Sequence, residues 1–189
     1  IPSYFSYVIK NHPSIIKKYV KDFLKVDNLY LDCNSIIYDA YRKIELDKLT
    51  QNIPESIIKQ VIVKIEEYIS IINPSQTVII AFDGVAPVAK LEQQRSRRYK
   101  SWYQNQISRT IYKKETEDIW NSAAITPGTT FMNELNCMVT THFSHNPKLD
   151  IIISGSNQFG EGEHKLFDYI RSNPQKHLLE TTIIYGLDA

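Results

Sequence analysis

Four short apolar runs, each ending in a turn residue or an acid, constrain the fold of this chain most strongly. Each run is rich in β-branched and aromatic residues and largely apolar on both faces, which is typical of strands buried in a parallel sheet. Segments with helical periodicity separate the runs, so the pattern predicts an α/β fold with a mostly parallel sheet flanked by helices. The predicted strands lie at residues 28–32, 77–83, 149–154 and 181–185.

Three intervening segments predict helices. One carries an apolar stripe at a spacing near 3.6 residues over 57–72, after Pro54, and another over 131–138, after Pro127-Gly128. Residues 88–120 are mostly polar with few apolar positions. This third segment predicts a single long helix that projects in part from the body.

Composition excludes several classes of protein. The 189 residues predict one domain, and 42% hydrophobic with 23% charged residues excludes a disordered tail, a collagen-like repeat and a coiled coil. The net charge is +1, so affinity for nucleic acid has to come from a local patch. Two cysteines make neither a disulfide framework nor a zinc site.

No apolar stretch reaches the ~18 residues of a membrane span, and no signal peptide opens the chain. We expect a soluble intracellular protein, in the cytoplasm or the nucleus.

Acidic residues lie at or after the predicted strand ends. In open α/β sheets, ligands bind beyond the carboxyl ends of the strands. Carboxylates held close together need a compensating cation, and hard oxygen ligands favour Mg²⁺ or Mn²⁺. Acids that bridge two such ions about 3.5–4 Å apart perform in-line phosphodiester cleavage. The candidate metal ligands are Asp32, Asp83, Glu161, Glu163 and Asp188.

Each of these acids also has a structural interpretation. An aspartate after a strand is often a helix N-cap or a turn former. Glu161 and Glu163 are two residues apart, so they do not share a helix face, and at a helix start they would complement the helix dipole. The metal hypothesis depends on the whole set, because acids at every strand exit are a less expected coincidence than an acid at one.

A basic segment follows the second predicted strand. Residues 90–100 hold five cations and one acid, and Lys90, Gln94, Arg97 and Arg98 fall within roughly a 100° arc of a helix. Arginine offers bidentate geometry to phosphate and lysine a point charge, so this face predicts a phosphate pocket beside the acids. The alternative is a solvated helix face.

His164 next to Glu163 has two open interpretations, a substrate contact and a helix N-terminal polar contact.

Seven sequence motifs are spread from the first residue to the last. The most specific are the Phe82-Asp-Gly-Val-Ala-Pro block with the following Gln-Gln-Arg-Ser-Arg-Arg, and Gly160-Glu-Gly-Glu-His-Lys. The others are Ile-Pro-x-x-Phe at 1–5, Asp-Asn-Leu-Tyr-Leu-Asp-Cys-Asn-Ser-Ile-Ile at 27–37, Ile-Thr-Pro-Gly-Thr at 125–129 and Tyr-Gly-Leu-Asp-Ala at 185–189. Together they resemble the N-terminal conserved region of the Xrn 5′→3′ exoribonucleases.

The resemblance implies a fold similar to the PIN and flap-nuclease group and processive, two-metal-ion hydrolysis of 5′-monophosphorylated RNA to 5′-mononucleotides. The five acids would be ligands of two Mg²⁺ ions, with Mn²⁺ as an alternative, and Lys90, Gln94, Arg97 and Arg98 would grip the 5′-phosphate. Implied partners are single-stranded RNA with a 5′-monophosphate, the rest of a parent chain, and decapping or RNA-processing factors, with no membrane.

Tyr38 departs from the family pattern, which has a histidine there that helps to hold the terminal nucleotide. We expect stacking to persist through the tyrosine ring while hydrogen bonding changes. The family's Met-Gly before Ile1 is absent and the chain stops at Ala189, so residues 1–189 are interpreted as an incomplete nuclease domain. Two other functions stay open: an RNA-binding decay scaffold with weakened catalysis, which Tyr38 motivates, and a flap-type nuclease acting on DNA.

Overall fold

A four-stranded parallel sheet lies at the centre of the structure, a computed structural model. The residues that it describes are 4–21, 24–46, 52–112 and 120–186. The strands are β1 (Asn28–Asp32), β2 (Thr77–Ala81), β3 (Asp150–Ser154) and β4 (Thr182–Tyr185). They are arranged in the order β3-β2-β1-β4, and every adjacent pair is parallel. This arrangement confirms the predicted α/β fold with a mostly parallel sheet.

Helices connect the strands, as parallel pairing requires. Within the described residues they are α1 (Tyr4–Asn11), α2 (Asn34–Leu46), α3 (Ile53–Ile72), α4 (Val88–Tyr112), α5 (Thr130–Phe143), α6 (Gly162–Ser172) and α7 (Pro174–Leu179), with short 3-10 helices at Pro13–Ile15 and Ser122–Ala124. A search of these described helices finds none with the length and hydrophobicity to cross a membrane.

Local sequence signals fix the ends of two helices. Asn52 caps α3 by accepting a hydrogen bond from the Glu55 backbone N–H (3.4 Å), and Asn73 ends the helix in the left-handed conformation (φ 52°). Thr129 caps α5 by accepting from the Met132 N–H (3.3 Å). Both helices therefore begin near the prolines that predicted them.

The two faces of the sheet carry separate hydrophobic clusters because side chains alternate along each strand. Leu29 and Leu31 of β1 pack with buried residues of α2, α3 and α5. Tyr30, between them in sequence, packs on the opposite face with Ile79 of β2 and Leu166 of α6. With α6 packed on this second face, its first turn lies beside the carboxyl ends of β1 and β2.

The structure describes helix α4 over Val88–Tyr112, within the segment 88–120 that predicts a single helix. Residues 113–119 lie outside the described residues, and the prediction is wrong at Trp120, which is not helical. The Trp120 ring packs against Phe131 (centroids 4.8 Å apart) and Tyr41 (5.3 Å). Trp120 is partly buried and packs against the core. In α4 itself, every described side chain from Arg95 to Ile111 is exposed, consistent with partial projection.

Candidate active site

The loops that carry the acids are joined to each other at the carboxyl edge of the sheet. After β2, the Gly84 N–H donates to the Gly160 carbonyl (2.8 Å), and the Gly160 N–H donates back to the Val85 carbonyl (3.1 Å). Glycine is required at 84, since a Cβ there would overlap the Gln158 carbonyl. These backbone contacts bring the exit of β2 against the start of α6, although the two segments are far apart in sequence.

Asp83 is held by donors from two other elements. Its Oδ1 accepts the Gly162 N–H at the start of α6 (2.7 Å), and its Oδ2 accepts the Asn34 side-chain amide (2.5 Å). The Asp83 N–H in turn donates to Asn34 Oδ1 (3.1 Å). Asn34 was not among the predicted site residues. Its position directly after the apolar run of β1 and one residue beyond Cys33 was the available signal.

Asp32 approaches the same helix start. A Cβ added at Gly162 would collide with the Asp32 carboxylate and would lie 3.5 Å from Asp83 Oδ1. Both aspartates therefore approach Gly162, and glycine at this position leaves room for the Asp32 carboxylate. This close approach joins acids from β1, from the loop after β2 and from α6 in one group. We call Asp32, Asp83, Glu161 and Glu163 the carboxylate cluster.

Glu161 and Glu163 come together because Glu161 precedes the helix. Glu161 is the N-cap residue of α6, but its side chain makes no capping hydrogen bond. Its buried carboxylate instead accepts from Lys90 Nζ (2.7 Å), and His164 Nδ1 lies 3.4 Å away. Ligand atoms of Glu161, Glu163 and His164 lie within 4.8 Å of one another. His164, which the sequence left undecided, thus lies beside the cluster.

The predicted phosphate-binding residues all lie in the first half of α4. Lys90 contacts the carboxylate cluster directly, and its pKa is raised by the hydrogen bond to Glu161 and by the charges of Glu163 and Asp83. Gln94 is half-buried, whereas Arg97 and Arg98 are exposed. The helix therefore presents cations to solvent immediately beside the acids.

Tyr38 lies close enough to Arg98 and Asp83 for both charges to influence its pKa. Its pKa is raised by burial, lowered by the positive charge of Arg98 and raised by the negative charge of Asp83. The side chain is still 40% exposed. A partly exposed aromatic ring of this kind can stack against a planar ligand.

Lys165 forms hydrogen bonds with backbone segments beside the carboxylate cluster. Its Nζ donates to the carbonyls of Phe82 (2.7 Å) and Gly155 (2.8 Å), the residues that precede Asp83 and follow β3. Burial lowers the pKa of Lys165 to about 8, against the opposing effect of Asp83 and Asp32. Sequence reasoning assigned this lysine no role.

The donor set fits a hard divalent cation. Carboxylate oxygens predominate, the carboxylates of Asp32 and Asp83 approach one small residue, and the ligand atoms of Glu161, Glu163 and His164 are close enough to share an ion. Acids this close favour a bound cation because it offsets their mutual repulsion. Asp188, the fifth predicted ligand, lies outside the described residues.

Comparisons with known proteins agree with the sequence motifs. The family model described as XRN 5'-3' exonuclease N-terminus matches residues 1–189. The chain is 34% identical over 209 residues to 5'-3' exoribonuclease 1 of Homo sapiens, 33% over 205 residues to 5'-3' exoribonuclease 1 of Schizosaccharomyces pombe, and 30% over 234 residues to 5'-3' exoribonuclease 2 of Saccharomyces cerevisiae. Each match covers the whole of this chain but only 12%, 15% and 23% of the respective relative.

Proposed function

The chain belongs to the XRN 5'-3' exonuclease N-terminus family, and we propose that it is the N-terminal part of a 5′→3′ exoribonuclease. This enzyme hydrolyses 5′-monophosphorylated RNA to 5′-mononucleotides. The observation that carries the proposal is that acids from three segments lie close together at Gly162, beside the basic residues of α4.

The carboxylate cluster, completed by Asp188, would hold two Mg²⁺ ions, or Mn²⁺ in their place. When bound, the ions supply activation of water and neutralisation of charge on the scissile phosphate. Within the chain, Asn34 and the Gly162 N–H fix the orientation of Asp83 through hydrogen bonds of 2.5 and 2.7 Å. Preorganised carboxylates of this kind need little rearrangement when a cation binds, so the site favours the geometry of cleavage.

Lys90, Gln94, Arg97 and Arg98 would bind the 5′-phosphate of the RNA. Lys90 already pairs with Glu161 at 2.7 Å, so its ammonium can serve a phosphate placed between α4 and the cluster. The arginines add bidentate donors on the same helix. Because Lys90 contacts the carboxylate cluster, a terminal phosphate bound by these residues would place the first phosphodiester bond near the cluster. Tyr38 would stack on the terminal base in place of hydrogen bonding through a histidine.

The test is nucleotide release by the full-length protein that contains this chain. RNA and DNA oligonucleotides of one sequence, each with a 5′-phosphate, are incubated with Mg²⁺, and products are separated by size. We expect 5′-mononucleotides from RNA and none after chelation of the metal. RNA binding without any product would favour a decay scaffold, and preferential cleavage of DNA would favour a flap-type nuclease. The rest of the parent chain and decapping or RNA-processing factors are the proposed partners.

A further inference from the structure

Lys165 connects three segments at the carboxyl edge of the sheet. Its Nζ donates to the carbonyls of Phe82, in the exit of β2, and Gly155, directly after β3. Its own backbone N–H donates to the Glu161 carbonyl at the start of α6 (3.1 Å). One half-buried side chain thus fixes the exits of two strands relative to the helix that carries Glu161 and Glu163.

We propose that Lys165 is a positioning residue, which sets the separation between Asp83 and the two glutamates that the cluster needs in order to bind a divalent cation. This inference rests on the proposed function of the same site. Asp83 is the residue after Phe82, so a shift of the Phe82 carbonyl moves the aspartate directly.

The chemistry of the side chain supports positioning over simple packing. A half-buried ammonium is partly desolvated at a cost, and Leu166, the next residue, already attaches α6 to the sheet through apolar contacts at 1% exposure. An apolar side chain cannot make hydrogen bonds, which fix the direction and distance of their partners. Two charge-assisted hydrogen bonds to carbonyls of different strands fix both exits at defined distances.

A positioning role and a purely electrostatic role predict opposite effects on metal affinity. The Lys165 ammonium is close enough for Asp83 and Asp32 to influence its pKa. If it acted only as a positive charge, its removal would tighten cation binding, since a like charge repels the ion. If it holds the carboxylates in place, its removal loosens the site and weakens binding.

The experiment measures Mn²⁺ affinity of the full-length protein by electron paramagnetic resonance of the free ion. We expect Lys165→Met to weaken Mn²⁺ binding about tenfold, the lower range for loss of a residue that supports metal ligands. Lys165→Arg, which keeps the charge and the donors, should recover most of the affinity. If Lys165→Met does not fold, Lys165→Gln replaces it, with the same expected direction because its shorter side chain cannot span both carbonyls.

The matched control is Lys176→Met at the opposite edge. Lys176 Nζ donates to Thr77 Oγ1 (2.7 Å) and is 24% exposed, so it anchors α7 to the start of β2 in a similar way. Its loss should lower the unfolding midpoint without changing Mn²⁺ affinity. Unchanged or tighter binding by Lys165→Met, or equal weakening by Lys176→Met, overturns the proposal. A wild-type protein that binds Mn²⁺ but releases no nucleotides would instead contradict the proposed function alone.

Discussion

The two edges of the sheet hold their acids in different ways. Asp27, just before β1, accepts hydrogen bonds from the Thr181 N–H (3.0 Å), Ser75 Oγ (3.0 Å) and Gln76 Nε2 (3.4 Å). Lys25 adds an ion pair at 3.7 Å. At this amino edge the Asp27 carboxylate is surrounded by donors from separate loops, and the arrangement connects the loops that precede β1, β2 and β4. Glu180, also before β4, has its own donors, Asn28 Nδ2 (2.9 Å) and Lys176 Nζ (3.8 Å).

At the carboxyl edge, which β1 reaches five residues after Asp27, several carboxylates lie close together. Asp32 shares the surroundings of Gly162 with Asp83, and Glu161 and Glu163 follow at the same helix start. Lys90 pairs with Glu161 at this edge, and Lys165 is close enough for Asp83 and Asp32 to influence its pKa. The comparison teaches that a carboxylate at a strand end is not by itself a functional signal. What distinguishes the edges is that Asp32 and Asp83 approach one residue, Gly162, whereas Asp27 binds donors from separate loops.

The largest expected effect is the loss of activity at one edge only. In the full-length protein, Asp83→Asn should slow nucleotide release by on the order of 10³, since metal-assisted stabilisation contributes several kcal/mol. Asp27→Asn should leave the rate within about twofold at temperatures where the protein is folded. Single-turnover cleavage of 5′-phosphorylated RNA measures both. Equal losses in the two variants would remove the functional distinction between the edges.

The next effect tests how closely the acids must approach. Gly162→Ala places a methyl group against the Asp32 carboxylate, and a displacement of about 1 Å at a reacting site can cost roughly 10²-fold in rate. Gly186→Ala is the matched control, because a Cβ there would be 3.9 Å from the Cβ of Asp32, an ordinary contact. Its activity should be close to that of the wild type. A fully active Gly162→Ala enzyme would show that close packing of the aspartates is dispensable.

The sheet and the presence of acids at its edge could be predicted from sequence because both depend on local pattern. Runs of β-branched residues identify strands, and residues that end parallel strands meet at one edge. The contacts of the site were less accessible. The hydrogen bond of Asn34 to Asp83 spans 49 positions and that of Lys165 to Phe82 spans 83, and no periodicity reports such contacts.

Two details differ from the expectation for equally physical reasons. The helix predicted over 88–120 does not include Trp120, whose ring packs against Phe131; a solvated helix and a solvated loop share one composition, so the polar pattern could not show this. The separation of Glu161 and Glu163 by two residues argued against a shared helix face. That rule applies inside a helix, whereas Glu161 is an N-cap residue with non-helical backbone (φ −76°, ψ 155°).

A moderate effect is expected on the basic helix that faces the acidic edge. Arg97→Ala should reduce the preference for 5′-phosphate over 5′-hydroxyl RNA about tenfold, the value of one charge-assisted hydrogen bond. Arg95→Ala is the control, since Arg95 lies on the same helix and stacks over Tyr99, 5.8 Å from the ring centroid. The ratio of kcat/KM for the two RNA ends measures the preference. Equal loss of activity on both ends in Arg97→Ala would contradict a phosphate contact.

The smallest effect concerns the pH dependence of stability at the amino edge. Hydrogen bonds, led by that from the Thr181 N–H, lower the pKa of Asp27 in the folded protein. A carboxylate with a lowered folded pKa stabilises the protein above its unfolded pKa of about 3.9, and this contribution is lost as pH falls through the folded value. The urea midpoint of Asp27→Asn should therefore lie below that of the wild type at pH 6, and the difference should shrink toward pH 3. Glu67→Gln, which removes an exposed pair with Lys64, should change the midpoint little at either pH. A difference between wild type and Asp27→Asn that stays constant across this range would mean that Asp27 acts through neutral hydrogen bonds, and that the amino edge does not depend on its charge.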